Sequence, residues 1–319
     1  MQVFRHLEEV PADLGPTVVS VGNFDGVHLA HQAVVRRMAE RAHILGGKAV
    51  VVTFEPHPLR ILRPDAAPKL LTPLPEKLRL LEQTSIDAVL VLPFTRDLSL
   101  MRAREFAEII LVQTLHAREV HEGYNFHFGH KAEGKVDTLR EFGREMGFEV
   151  TICPEELLRG HHVSSTEIRK LLDVGDVTSA RVLLGRPFSI LSNPGRGRGY
   201  GHKYTVPTVN LARYDEMVPG NGVYITRMQI GSECFDAVTN VGVRPTFGPD
   251  SFAIESHLLN FHPIELTAAT AVELFFLKHL REERKFPSTE ALKEQIGRDV
   301  KKALQYFRLL AVNPVSGSR

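Results

Sequence analysis

The β-branched run Val18-Val19-Ser20-Val21 leads straight into Gly22-Asn23-Phe24-Asp25-Gly26-Val27-His28, and a helical pattern begins at once. This order predicts a buried strand, a tight glycine turn and a helix N-terminus, the first half of a βαβ unit. Glycines let backbone approach a ligand closely. Free N–H groups and the positive end of the helix dipole favour anionic oxygens there. His28 and His31, at i and i+3, share one helix face. The arrangement suits a nucleotide triphosphate. On spacing alone two other readings stay open. The histidines could chelate a metal, although no zinc-protease Glu accompanies them and Cys153 and Cys234 lie far away in sequence. The turn could equally be an ordinary βα connection with incidental histidines.

The following residues repeat the pattern. Lys48-Ala49-Val50-Val51-Val52-Thr53-Phe54 and Ala88-Val89-Leu90-Val91-Leu92 are continuous apolar runs, which predict parallel strands covered on both faces. Helices are expected over 75–83 and 136–146, with further strands at Glu119–His121 and Glu149–Ile152. The expectation is a doubly wound α/β, Rossmann-like domain with right-handed crossovers. Its ligands would bind beyond the carboxyl ends of the strands. The chain has 319 residues, room for about two domains. After Leu184-Gly185-Arg186-Pro187 the texture changes to short β-rich runs with Gly, Pro and Asn punctuation. That predicts an antiparallel barrel, closed by a helix over 288–310 with Leu292, Ile296, Val300, Leu304 and Phe307 on its apolar stripe. Domains of 1–185 and 186–319 follow. A net charge of +1 sets up no field toward nucleic acid or membrane surfaces. No apolar run approaches the ~18 residues of a membrane span. Two cysteines are too few for a disulfide framework. The expectation is a cytoplasmic protein acting on small molecules.

Three further segments carry candidate chemistry in the first domain. In Thr53-Phe54-Glu55-Pro56-His57-Pro58, two prolines stiffen a loop and hold His57 near a strand end. In Gly123-Tyr124-Asn125-Phe126-His127-Phe128-Gly129, the aromatics stack on a ring or close a core, and Asn125 offers an amide. In Ser164-Ser165-Thr166-Glu167-Ile168-Arg169, the hydroxyls cap a helix, clamp phosphates together with Arg169, or do both.

In this order and spacing, these motifs resemble the adenylyltransferase module of the bacterial bifunctional riboflavin kinase/FAD synthetase family. The resemblance runs over essentially the whole chain. It implies that FMN phosphate attacks the α-phosphate of ATP and expels pyrophosphate. It also implies that Gly22, Asn23, Phe24, Asp25, His57, Ser164, Ser165, Thr166 and Arg169 hold ATP, that His28 and His31 are catalytic donors, and that Asn125 meets flavin. Mg²⁺ would be shared by phosphate oxygens. Ala30 stands where the family reads glycine.

The second half continues the resemblance. Gly195-Arg196-Gly197-Arg198-Gly199-Tyr200-Gly201-His202 is either a loop that bends around phosphates, through Gly197, Gly199 and Gly201, or a flexible surface loop. Pro207-Thr208-Val209-Asn210 resembles the family's Pro-Thr-Ala-Asn element and assigns Thr208 and Asn210 to Mg²⁺ and ATP phosphate. Glu255 matches the catalytic carboxylate, which takes a proton from the ribityl 5′-hydroxyl of riboflavin. Arg281 and Phe286 match residues beside the flavin. Tyr204-Thr205-Val206 and Leu266-Thr267-Ala268 depart from the family pattern. Two rival functions are a nucleotidyltransferase with another phosphorylated acceptor and a flavin-binding protein with a decayed kinase half.

Overall fold

The computed structural model describes residues 1–195, 208–243, 252–262 and 266–312. They form two compact units, Met1–Glu167 and Ile168–Arg319.

In the first unit, strands β1 (Gln2–Phe4), β2 (Thr17–Val21), β3 (Lys48–Glu55), β4 (Ala88–Pro93) and β5 (Ala117–Gly123) alternate with helices. These are α1 (Leu29–Ile44), α2 (Pro58–Leu62), α3 (Leu74–Glu82), α4 (Arg96–Leu100) and α5 (Ala103–Phe106), which runs on as a π-helical stretch over Ala107–Thr114. A small hairpin of β6 (His127–Phe128) and β7 (Gly134–Lys135) precedes α6 (Val136–Met146) and β8 (Glu149–Cys153). A second hairpin, β9 (Leu157–Leu158) with β10 (His161–His162), leads to α7 (Ser165–Asp173), which starts in this unit and ends in the next.

The main sheet has the order β1-β4-β3-β2-β5-β8 and is parallel throughout. Alternate residues of each central strand face opposite layers. Val19, Val21, Val50, Val52, Leu90 and Leu92 pack against Phe106, Ile110, Leu111, Leu139 and Phe142. Val18, Ala49, Val51, Val89 and Val91 pack against Val35, Met38 and Ala42 of α1 and Leu80 and Leu81 of α3. Burial on both faces explains why these strands read as unbroken apolar runs. Each buried Val, Leu, Ile, Phe or Met among them contributes ~1.5–3 kcal/mol relative to exposure. β2 is followed by β3 on one side, whereas β5 lies on its other side. The β2–β5 seam is therefore the switch point at which such sheets bind ligands.

In the second unit, α8 (Val177–Leu184) packs on β11 (Phe188–Ser192) and β16 (Val272–Arg281). The expected boundary near 185 thus falls between α8 and the sheet it covers. With β12 (Thr208–Asn210), β13 (Gly222–Ile230), β14 (Glu233–Val243) and β15 (Phe252–Leu258), the order is β11-β16-β13-β14-β15-β12, antiparallel throughout. The sheet curls until its outer strands meet at a Pro194–Leu211 bridge. There the Gly195 N–H donates to Asn210 O at 2.8 Å, and the Ala212 N–H donates to Asn193 O at 2.8 Å.

Helix α9 (Thr289–Val312) lays Ala303 and Phe307 on Val223, Ile225, Val238 and Leu277. Its first half departs from the expected stripe. Leu292 and Ile296 are about 40 % exposed, and Gln295 and Asp299 are buried instead. The reason is a polar network. Asp299 accepts from Arg281 Nε at 2.9 Å and from Gln295 Nε2 at 2.7 Å, and Gln295 Oε1 takes Arg284 and Arg298.

Candidate active sites

The turn after β2 is held in an unusual backbone shape. Phe24, Gly26 and Val27 all have positive φ, at 47°, 87° and 40°. Such values are costly for a β-branched residue and persist only where surroundings enforce them. Here the enforcement is visible. The buried Asp25 carboxylate accepts from the N–H groups of Leu71 at 3.1 Å and Thr72 at 2.9 Å. Thr72 Oγ1 accepts from the Gly26 N–H at 2.9 Å, and Gln32 Nε2 donates to Val27 O at 2.8 Å. Gly22 is needed for closeness, since a Cβ there would lie 3.3 Å from the Phe24 ring. Phe24 in turn packs on the His31 ring, with centroids 4.8 Å apart.

His28 is the N-cap of α1, and its Nδ1 accepts from the His31 N–H at 3.4 Å. In the neutral ring this puts the proton on Nε2. The two imidazoles stack at 3.6 Å with 15° between planes. His31 Nδ1 is buried without a hydrogen-bond partner. Burial, then the His28 and Lys77 charges, hold the His31 imidazole well below its ordinary pKa. Among the described residues, no cluster of three or more His, Cys, Asp or Glu could hold a metal ion.

Other predicted residues gather at the same end of the sheet. His57 caps α2 as His28 caps α1, its Nδ1 accepting from the Leu59 N–H at 3.2 Å. Ser164 caps α7 through the Glu167 N–H at 3.2 Å. Ser165 Oγ donates to Asp25 O at 2.8 Å, which brings the start of α7 onto the turn after β2. Thr166 is exposed, and Arg169 follows one turn later on α7. Asn125 is exposed in the turn after β5. Phe128 belongs to the core, beside Phe106 and Phe142, and Phe126 stacks on it at 5.3 Å.

Two residues of this region escaped the sequence reading. Lys77 is buried on α3 and donates to Thr53 Oγ1 at 3.3 Å, and Thr53 donates to Asn23 O at 3.2 Å. Its signal was its place three and four residues before Leu80 and Leu81, on the buried face of α3. Glu122 is buried in the β2–β5 seam and accepts from the Val21 N–H at 2.6 Å. Burial pushes its carboxyl well above the usual range, against that hydrogen bond. Nothing in the local pattern marked it.

In the second unit, the strand register lines up the kinase candidates. Asn210 of β12 lies opposite Glu255 of β15, which lies opposite Asn240 of β14. Directly paired residues share a face, so all three project together. Thr208, two residues before Asn210, joins that face opposite His257. Ile254 and Ser256 point the other way and are buried. A hydroxyl, an amide and a carboxylate on one face are hard oxygen donors, which fits a divalent cation shared with phosphates. Asn240 Nδ2 donates to Glu283 Oε1 at 3.4 Å, and a Cβ on Gly242 would meet that carboxylate. Arg281 and Arg284 lie over the Phe286 ring, at 5.8 and 4.9 Å from its centroid. Glu283 and Asp299 were not singled out from sequence. Gly197, Gly199 and Gly201 lie outside the described residues.

Among the described residues, no helix is long and apolar enough to cross a membrane. The model of the FAD synthetase family matches residues 10–167, and that of the riboflavin kinase family matches residues 184–307. A bifunctional riboflavin kinase/FMN adenylyltransferase of Pseudomonas fluorescens is 38 % identical, over 94 % of this chain and 96 % of its own length. Its Haemophilus influenzae counterpart is 34 % identical, over 96 % of this chain and 99 % of its own. The crystal structure of a macrolide-efflux protein from Streptococcus pneumoniae shares the fold, with a TM-score of 0.84 and 25 % identity over 94 % of this chain and 97 % of that one. With two family models matched in chain order and relatives above 30 % identity over nearly their full length, the chain belongs to the bifunctional riboflavin kinase/FMN adenylyltransferase enzymes.

Proposed function

We propose that the chain converts riboflavin to FAD in two ATP-dependent steps, the kinase step within 186–319 and the adenylyl transfer within 1–185. The observation that carries the second step is the single cluster at the carboxyl end of the parallel sheet: the strained turn, the stacked His28 and His31, His57, and Ser165 on the turn carbonyl.

The triphosphate of ATP lies along the turn and the N-termini of α1 and α7. Gly22, Asn23 and Phe24 shape its bed. Asp25 contributes by pinning the turn to Leu71 and Thr72 rather than by touching phosphate. An FMN phosphate oxygen attacks the α-phosphorus, the bond to the β-phosphate oxygen breaks, and pyrophosphate leaves. His28 and His31 donate to the oxygens on which charge grows, and Ser164, Thr166 and Arg169 hold the leaving group. Asn125 meets the flavin.

In the second unit, Glu255 takes the proton of the riboflavin 5′-hydroxyl as that oxygen attacks the γ-phosphorus of ATP. Thr208 and Asn210 hold Mg²⁺, which neutralises phosphate charge when bound. Arg281 and Phe286 flank the ring system. Both substrates and products are cytoplasmic metabolites in this reading.

The test is to incubate the protein with riboflavin, ATP and Mg²⁺ and separate the flavins. FMN and then FAD are expected. FAD from supplied FMN, with none from riboflavin, would overturn the kinase step.

A further inference from the structure

Lys77 is 4 % exposed, yet its ammonium makes one hydrogen bond among the described residues, to Thr53 Oγ1 at 3.3 Å. A lysine has three donors, and burying a cation without an ion-pair partner is costly. The groups whose charges reach it are Asp25, Glu55 and His31. None of them forms an ion pair with it, and the Asp25 carboxylate is taken up by the Leu71 and Thr72 N–H groups. The lysine therefore does little for stability where it stands. Its position explains it better. Through Thr53 it touches the carbonyl of Asn23, inside the phosphate turn, and its field falls on the ring of His31.

We propose that Lys77 is a positioning residue for adenylyl transfer, fixing a positive charge beneath the phosphate turn and acting through His31 and the Thr53–Asn23 pair. This rests on the adenylyltransferase reading of the first unit. In the empty site the ammonium disfavours a second cation, so His31 stays a neutral hydrogen-bond donor. When triphosphate arrives, the buried cation faces the charge that grows on the departing pyrophosphate. That charge is larger in the transition state than in the bound substrate, so the lysine serves kcat more than substrate affinity.

The test uses the full chain carrying Lys77→Met or Lys77→Arg. Methionine fills the same space without charge. Lys77→Met is expected to lower kcat for FAD formation from FMN by about 10²-fold, leaving KM for FMN within about 2-fold. It should raise the His31 imidazole pKa in an NMR titration and melt at or above the wild-type temperature. Lys77→Arg keeps the charge and should recover part of kcat with His31 titrating as in wild type. Riboflavin phosphorylation should be unchanged in both. A Lys77→Met protein that melts lower than wild type shows a structural lysine and overturns the proposal. An unchanged kcat, an unmoved His31 titration or a Lys77→Arg protein no better than Lys77→Met does the same. Failure of the wild-type chain to make FAD from FMN would instead sink the reading on which the proposal rests.

Discussion

The His28 and His31 rings lie face to face, 3.6 Å between centroids, and the backbone N–H of His31 points at Nδ1 of His28. One side chain thus ends the turn and caps α1. Cap and chemistry are separable. His28→Asn retains a good N-cap residue, so its melting temperature should stay near wild type. FAD formation from FMN should fall by about 10²–10³-fold, while FMN formation from riboflavin continues. Chromatography of the flavins checks both.

Glu255 offers the complementary result. Glu255→Gln keeps the shape of the Asn210–Glu255–Asn240 row but cannot take a proton. Phosphorylation of riboflavin should fall by about 10²–10⁴-fold, with FAD formation from FMN intact.

Asp25 carries the shape of the turn. Asp25→Ala strands the buried N–H groups of Leu71 and Thr72 and removes the support for Val27 in its positive-φ state. A loss of about 1–3 kcal/mol is expected in the first unit, seen by denaturant unfolding. FAD synthesis should fall with it, and Asp25→Asn, which keeps one acceptor oxygen, should lose less.

Glu122 gives a pH dependence with a definite sign. Its folded carboxyl is held above the unfolded value, chiefly by burial. Its contribution is fully present below the unfolded range, near pH 4.3, and is lost as pH rises through the raised folded value. Glu122→Gln still accepts from the Val21 N–H but cannot ionise. Melting temperatures measured from pH 5 to 8 should fall less with rising pH in the variant than in wild type, and the variant should be the more stable at the upper end.

Asp299 tests the proposed flavin side of the second unit. It is buried and neutralises Arg281 while accepting from Gln295. Removing one member of a buried pair costs about 3–5 kcal/mol. Asp299→Ala should lower the melting temperature and raise KM for riboflavin by releasing Arg281 from its place beside Phe286. Steady-state kinetics on riboflavin and on FMN would separate this from any effect on adenylyl transfer.

The parallel sheet was legible because burial on two faces fills the middles of β2, β3 and β4 with apolar residues, Ser20 and Thr53 excepted. Helix α6 was legible over its full span, Val136–Met146. Other features were not, for physical reasons. β1 has three residues at a sheet edge, too few for a pattern. Lys77 and Glu122 are ionisable groups where apolar periodicity predicts apolar ones. The α9 stripe had the right period and the wrong phase in its first half. Periodicity records apolar residues and is blind to Arg281 and Arg284, which draw Gln295 and Asp299 inward. Among the site residues, the ordered motifs identified the turn and the Ser164 cap, whereas the N-cap roles of His28 and His57 came only from the structure. The partners that hold them, such as Thr72 and Asp299, lie 47 and 18 positions away along the chain.

The two halves of α9 are thereby fastened by different forces. Ala303 and Phe307 sit on an apolar surface, so opening that end exposes core. The turns around Leu292 and Ile296 hold on through the bonds of Asp299 and Gln295 to Arg281 and Arg284 and can detach without wetting the core. In native-state hydrogen exchange the early amides of this helix should exchange by a local opening well below the global unfolding free energy, and the later ones only with the whole unit. Because that opening also frees Arg281 and Arg284 from their partners, flavin bound beside Phe286 should slow exchange in the first half of α9 and leave the second half unchanged.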